Sequence, residues 1–226
     1  MVNEAAWKEI HESLKKQGVT LIAVSKTKPV SDIEELYALG QRDFGENYVQ
    51  ELVEKQPQLP KDIRWHYIGH LQSNKVKYIA PFVTLIHAVD SFKLLQEINK
   101  QAQKNNRTID VLLQFHVADE ETKFGLDEHE MLTLLEYYEA QIDQMQNVRI
   151  CGLMAMASNT EDETQVRREF QRVNNLFGVL KKSNFLTRPY FNILSMGMSG
   201  DYQMAIEEGS TMVRIGSLLF GARQYN

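Results

Sequence analysis

The chain has 226 residues, 43% hydrophobic and 24% charged, with a net charge of −5. That balance supplies a sizeable core and excludes a disordered chain, and with no basic block it argues against nucleic acid as a partner. The single cysteine excludes an internal disulfide and fits a reducing, cytoplasmic setting. The N-terminus shows no basic segment followed by an apolar one, and no stretch nears the roughly 20 apolar residues of a membrane helix.

Strand-like and helix-like runs alternate with no linker or low-complexity tract. The predicted strands are 19–25, 43–44, 63–68, 83–87, 109–116, 148–152, 190–194 and 212–215, the second one short. Ser31-Asp32-Ile33-Glu34 reads as a capping box, with Ile33, Leu36 and Tyr37 on one face and Gly40 as the stop. Ser91 is placed to cap a helix over 92–105. Asp127-Glu128-His129-Glu130 reads as a second box, opening 131–140. Asp162 or Thr164 opens a long amphipathic run that ends at Lys182. Eight β-then-α units predict an α/β fold, a single (β/α)8 TIM barrel over 1–226, an architecture that commonly takes about 250 residues. An open doubly wound sheet also alternates, but its G-x-G-x-x-G fingerprint is absent.

In such a barrel the chemistry sits on the loops after the strands. Lys26 follows the apolar run Val19-Thr20-Leu21-Ile22-Ala23-Val24 and opens the turn closed by Pro29. Burial there lowers a lysine's pKa, and a neutral amine attacks aldehydes. The alternative is a rim lysine whose stem covers apolar surface while its head reaches water. After the seventh strand, 195–199 combines two hydroxyls and a glycine before a predicted helix over 201–208. After the eighth, Gly216-Ser217 precedes Leu218-Leu219-Phe220. Two such loops at these strands suit a phosphate group, and two glycine-rich turns without a ligand are the plainer reading. Arg214 lies inside an apolar strand and needs a partner: a carboxylate such as Glu207, Glu208 or Asp201, or an acceptor atom on a ligand across the barrel mouth. An aldehyde, a phosphate and a ring nitrogen match these three features, and pyridoxal 5′-phosphate carries all three.

The stretches 23–28, 44–51, 65–75, 194–201 and 213–221 closely resemble the pyridoxal phosphate homeostasis protein family, single-barrel relatives of the alanine racemase N-terminal domain. Gly-His-Leu-Gln at 69–72 and Ser-Met-Gly-Met-Ser at 195–199 carry most of that likeness. The resemblance implies an alanine racemase N-terminal-domain-like barrel that carries pyridoxal phosphate and has no turnover of its own. It implies Lys26 as the residue forming an internal aldimine. Ser195, the Met196 backbone, Ser199, Gly216 and Ser217 would bind the phosphate. Arg214 would face the pyridine nitrogen, and Asn47 and His66 would line the ring pocket. Family members often have threonine where Ser217 stands, and the hydroxyl is kept. Met154-Ala155-Met156-Ala157 departs from the usual loop after the sixth strand.

Three functions compete: a cofactor carrier that buffers pyridoxal phosphate or passes it to apo forms of enzymes that use it, an amino-acid racemase, and a Schiff-base aldolase with no cofactor. Fold-related racemases add a β-domain that supplies a tyrosine base at a dimer interface. Here the sequence ends at Asn226 with only Tyr225 in its tail, so a monomeric, non-catalytic carrier is expected. His66 and His70 lack the H-E-x-x-H pattern, so no metal is expected. Cys151 reads as a small buried hydrophobe. Lys28 and Lys123 are candidate second amines on the rim of Lys26.

Overall fold

Eight parallel strands pair in chain order and close on themselves. They are β1 (Thr20–Val24), β2 (Asp43–Glu46), β3 (Arg64–Tyr67), β4 (Leu85–Val89), β5 (Ile109–Gln114), β6 (Val148–Met154), β7 (Ile193–Ser195) and β8 (Met212–Ile215). The closing pair β1–β8 sets Leu21 opposite Val213 and Ile22 opposite Arg214. This is the expected (β/α)8 barrel, seen in a computed structural model that describes residues 2–118 and 124–221.

The helices are α1 (Glu4–Lys16), α2 (Val30–Ala38), α3 (Val49–Lys55), α4 (Val76–Ile79), α5 (Phe92–Lys104), α6 (Glu128–Ala140), α7 (Glu163–Lys182), α8 (Tyr202–Glu207) and α9 (Ser217–Phe220). Helix α1 is absent from the predicted elements, although Asn3 caps it and Trp7, Ile10 and Leu14 bury one face. Ser91 caps α5 and Asp162 caps α7, as expected. The box at Asp127 and Glu130 forms with both reciprocal bonds. The box at Ser31 does not form. Pro29, with φ −67°, takes the cap position and starts α2 at Val30, which places Ser31 inside the helix.

Two strands are displaced from their predicted spans. Val83 is still at a helix end, donating its amide to the Ile79 carbonyl at 2.8 Å, so the apolar run enters the sheet only at Leu85. Phe191 stacks on Phe177 and Phe185 outside the barrel wall, with ring centroids 5.0 and 4.0 Å away, so β7 begins only at Ile193. Strand β2 extends through Gly45 and Glu46, because the buried Glu46 carboxylate finds Lys55 on α3.

Apolar side chains fall into two layers. Ile22, Leu85, Leu112, Cys151 and Met212 form a small cluster inside the barrel. The larger cluster lies between strands and helices. Alternation along each strand assigns a residue to one layer or the other. The interior layer also holds His66, His87, Ser195 and Arg214, all nearly inaccessible to solvent. Among the described residues, no helix is long and apolar enough to cross a membrane.

Candidate functional site at the barrel mouth

Lys26 sits on a turn that is pinned from both sides. Next to it, Ser25 is fully buried and donates its hydroxyl to Glu46 Oε1 at 2.7 Å. Lys55 Nζ donates to the Ser25 carbonyl and to Glu46 Oε1, each at 2.8 Å, and to Glu51 Oε1 at 2.5 Å. Glu51 also accepts from the Thr27 amide at 2.6 Å, where the backbone turns left-handed at φ 63°. Burial pushes the Glu46 carboxyl up, against the pull of Lys55. On the other flank, Lys28 Nζ donates to the Phe220 carbonyl at 2.8 Å and ties the first loop to the end of α9.

The turn borders a cavity of about 280 Å³ at the carboxyl ends of the strands. Lys26, Asn47, Ser199, Arg214, Gly216 and Ser217 all line it, together with Lys28. Asn47 is held from behind. Tyr67 donates its hydroxyl to the Asn47 carbonyl at 3.0 Å, and a Cβ on Gly69 would lie 2.2 Å from that same oxygen. The side-chain oxygen Oδ1 of Asn47 is buried and has no hydrogen-bond partner among the described residues.

The two glycine loops close the far wall. At Gly197 φ is 95°, and a Cβ would lie 2.6 Å from Ala205 Cβ, so only glycine lets the loop pack on α8. Asp201 Oδ1 accepts from the Met198 amide at 2.5 Å, and burial raises its pKa. Ser199 Oγ accepts from the Gly216 amide at 3.2 Å and joins the two loops. Met156 brings the loop after β6 to the cavity.

Arg214 reaches the cavity from the barrel interior. Its Nη1 donates to the Ser195 carbonyl at 2.9 Å and to Ser195 Oγ at 2.7 Å, and its Nη2 donates to the Ala155 carbonyl at 3.0 Å. Burial pushes the guanidinium down to about 10, with the charge of Asp201 opposing, so it stays a cation at neutral pH. The carboxylates of Glu207 and Glu208 hold Arg167 instead, at 2.5 and 3.1 Å.

Three expected contacts take a different place. Ser195 is the last residue of β7, and alternation turns its hydroxyl inward to Arg214 and His87. Met196 is fully buried, with its amide committed to the Met212 carbonyl at 3.2 Å. His66 lies on the interior face of β3, bonded to His87 and Asp43 rather than lining the cavity. His70 pairs with Asp90 at 3.3 Å and stacks on Phe124. Among the described residues, no cluster of three His, Cys, Asp or Glu could hold a metal. The Cys151 thiol is buried and pushed up to about 12, as suits an inert hydrophobe. Lys123 and Tyr225 lie outside the described residues.

Sequence reading missed Glu46, Lys55 and His87. The first two are nine positions apart and announce themselves only in space. His87 left a signal, an imidazole inside the apolar run Leu85-Ile86-His87-Ala88-Val89.

The family model described as alanine racemase, N-terminal domain, matches residues 4–224. Curated relatives named pyridoxal phosphate homeostasis protein include that of Aquifex aeolicus, 43% identical over 91% of this chain and 87% of its own, and that of Escherichia coli, 38% identical over 92% and 87%. The solved structure of PipY from Synechococcus elongatus with PLP bound is 36% identical, at a TM-score of 0.81, over 94% of this chain and 99% of that one. Alanine racemase from Streptomyces coelicolor, 16% identical, shares the fold at a TM-score of 0.75 over 98% of this chain and 59% of its own. A barrel with a lysine on its first loop and the matching length of these relatives gives one assignment: the chain belongs to the pyridoxal phosphate homeostasis protein family.

Proposed function

We propose that this protein binds pyridoxal 5′-phosphate, holds it through a covalent C=N link to Lys26, and buffers or delivers it without turnover of its own. The observation that carries this reading is the convergence of Lys26, Asn47, Arg214 and the Ser199 and Gly216–Ser217 loops on one cavity, in a chain 36% identical to a relative solved with PLP bound. The bound cofactor supplies an aldehyde that a lysine amine can condense with, releasing water. Asn47 Oδ1 is a ready acceptor for a ligand hydroxyl or N–H, since a buried acceptor without a partner costs about 1–3 kcal/mol. Arg214 offers a donor-only cation to a ring nitrogen, which favours the unprotonated ring and so a poor electron sink. Ser199 and Ser217 offer hydroxyls to the phosphate, with loop amides beside them.

A racemase needs a base on each face of the substrate carbon. The described residues that line the cavity supply amines, an amide, hydroxyls and a guanidinium, but no carboxylate, imidazole or phenol. That inventory favours holding over turnover. Apo forms of enzymes that use the cofactor are the partners such a carrier serves.

Titration with pyridoxal phosphate, followed by borohydride reduction and peptide mass spectrometry, tests the reading. The expected result is a visible absorbance band that borohydride removes, with the added mass on Lys26. Lys26→Ala should lose the band yet keep non-covalent affinity. Attachment at another lysine, or no band in the parent, overturns the assignment. Incubation with L-alanine in deuterated water should leave the α-carbon unlabelled, and steady deuterium uptake would restore the racemase reading.

A further inference from the structure

Beneath the cavity, five side chains form one unbroken hydrogen-bond chain through the barrel. Arg214 Nη1 meets Ser195 Oγ at 2.7 Å, and Ser195 Oγ meets His87 Nδ1 at 3.1 Å. His87 Nε2 meets His66 Nδ1 at 3.0 Å, and His66 Nε2 meets Asp43 Oδ1 at 3.0 Å. At the floor, Arg64 Nε donates to the same Asp43 oxygen at 2.7 Å. His87 and Ser195 are fully buried.

The chemistry of the two ends orders everything between them. A guanidinium only donates, and an ionised carboxylate only accepts. Burial works against the Asp43 carboxylate, but bonds from His66 and Arg64 outweigh it and keep its pKa below the ordinary value. Burial above all, with the Arg214 cation nearby, holds the His87 imidazole well below its ordinary value, so that ring is neutral. When His66 is neutral as well, one arrangement satisfies every link. Arg214 donates to Ser195, Ser195 donates to His87 Nδ1, His87 Nε2–H donates to His66 Nδ1, and His66 Nε2–H donates to Asp43. The other His87 tautomer would set two lone pairs against each other between the rings and leave the Ser195 proton without its acceptor.

We infer that His87 and His66 are positioning residues: through this ordered chain they fix Ser195 and hold the Arg214 cation in the orientation it presents to the cavity. The inference rests on the reading of the cavity as the pyridoxal phosphate site only for its binding readout. The proton order is a property of the protein alone. An apolar interior would pack as well, but it would leave Arg214 with carbonyls on one side and no hydroxyl fixed in direction.

Two measurements test this. The first is ¹⁵N NMR of the histidine side chains in the cofactor-free protein at neutral pH. Protons on Nε2 of both His66 and His87 are expected, and a proton on His87 Nδ1 would overturn the order. This arm stands even if the protein binds no pyridoxal phosphate. The second compares His87→Gln with His87→Leu. A glutamine amide can accept from Ser195 through its oxygen and donate to His66 through its nitrogen, so it should bind pyridoxal phosphate within about twofold of the parent. Leucine breaks the chain and should weaken binding about tenfold, with a displaced absorption maximum of the bound cofactor. Equal binding by both variants would show that the ring only fills space. Should His87→Leu fail to fold, Ser195→Ala cuts the chain one link higher, with the same tenfold loss expected and unchanged affinity again overturning the inference.

Discussion

Two buried charge systems support the mouth of this barrel, and they are built differently. Outside the wall, Lys55, Glu46, Glu51 and Ser25 clamp the turn that carries Lys26. Inside, Asp43, His66, His87 and Ser195 lead to Arg214. The outer clamp is an ion pair drawn from elements adjacent in sequence, and it leaves Glu46 Oε2 buried without a partner among the described residues. The inner chain spaces its two opposite charges apart and links them through two imidazoles and a hydroxyl, with every link made. A close ion pair fixes a backbone strongly but fails badly when halved, whereas a chain of neutral links tolerates any replacement that keeps donor and acceptor in place.

The largest effect should come from halving the clamp. Lys55→Met leaves the inaccessible Glu46 carboxylate unpaired and should cost about 3–5 kcal/mol in urea unfolding. The loss has a pH signature. Without Lys55, the carboxyl, already raised by burial, rises further. A group with a raised folded-state pKa contributes stability below its unfolded value and loses it as pH climbs through the folded value. The deficit of Lys55→Met should therefore shrink on acidification, and a deficit that grows would mean Glu46 is not the stranded group. Adding Glu46→Gln should recover most of the loss.

Next in size, Ser199→Ala should weaken pyridoxal phosphate binding by about 1–3 kcal/mol, measured by titration, since it removes a hydroxyl of the cavity and the tie to Gly216. Ser217→Ala should do the same without loosening the loops. Full affinity in both would move the phosphate elsewhere. The smallest effect tests the anion of the inner chain. The Asp43 pKa is lowered, so it contributes stability above the ordinary carboxylate range that fades as pH falls through its folded value. Asp43→Asn should flatten that acid limb in a series of melting temperatures against pH, while changing neutral stability less than Lys55→Met.

Much of this was legible because alternation and element spacing are local properties. The eight strands and the caps at Ser91, Asp127 and Asp162 follow from them. The grouping of Lys26, Ser199, Arg214, Gly216 and Ser217 came from the rule that loops after the strands share one barrel mouth, and Asn47 joined them only through the family resemblance. Ser195 and Met196 were grouped with the loop because a motif does not mark where the strand ends. One residue's difference turns Ser195 into the barrel. His66 was placed by its neighbours in the motif, but strand parity put it beside Gly45 on the inner face. The bonds of His87 span 21 and 108 positions, and no local pattern announces such partners.

Arg64 is half exposed at the end of the barrel opposite the cavity, yet it holds the carboxylate from which the inner chain begins. The barrel floor is thereby a remote handle on its mouth. On the inference drawn above, a change in charge at one solvent-facing arginine reaches Arg214 through four side chains without altering any residue that lines the cavity. Affinity in this scaffold can thus drift, or be engineered, from the face farthest from the binding site.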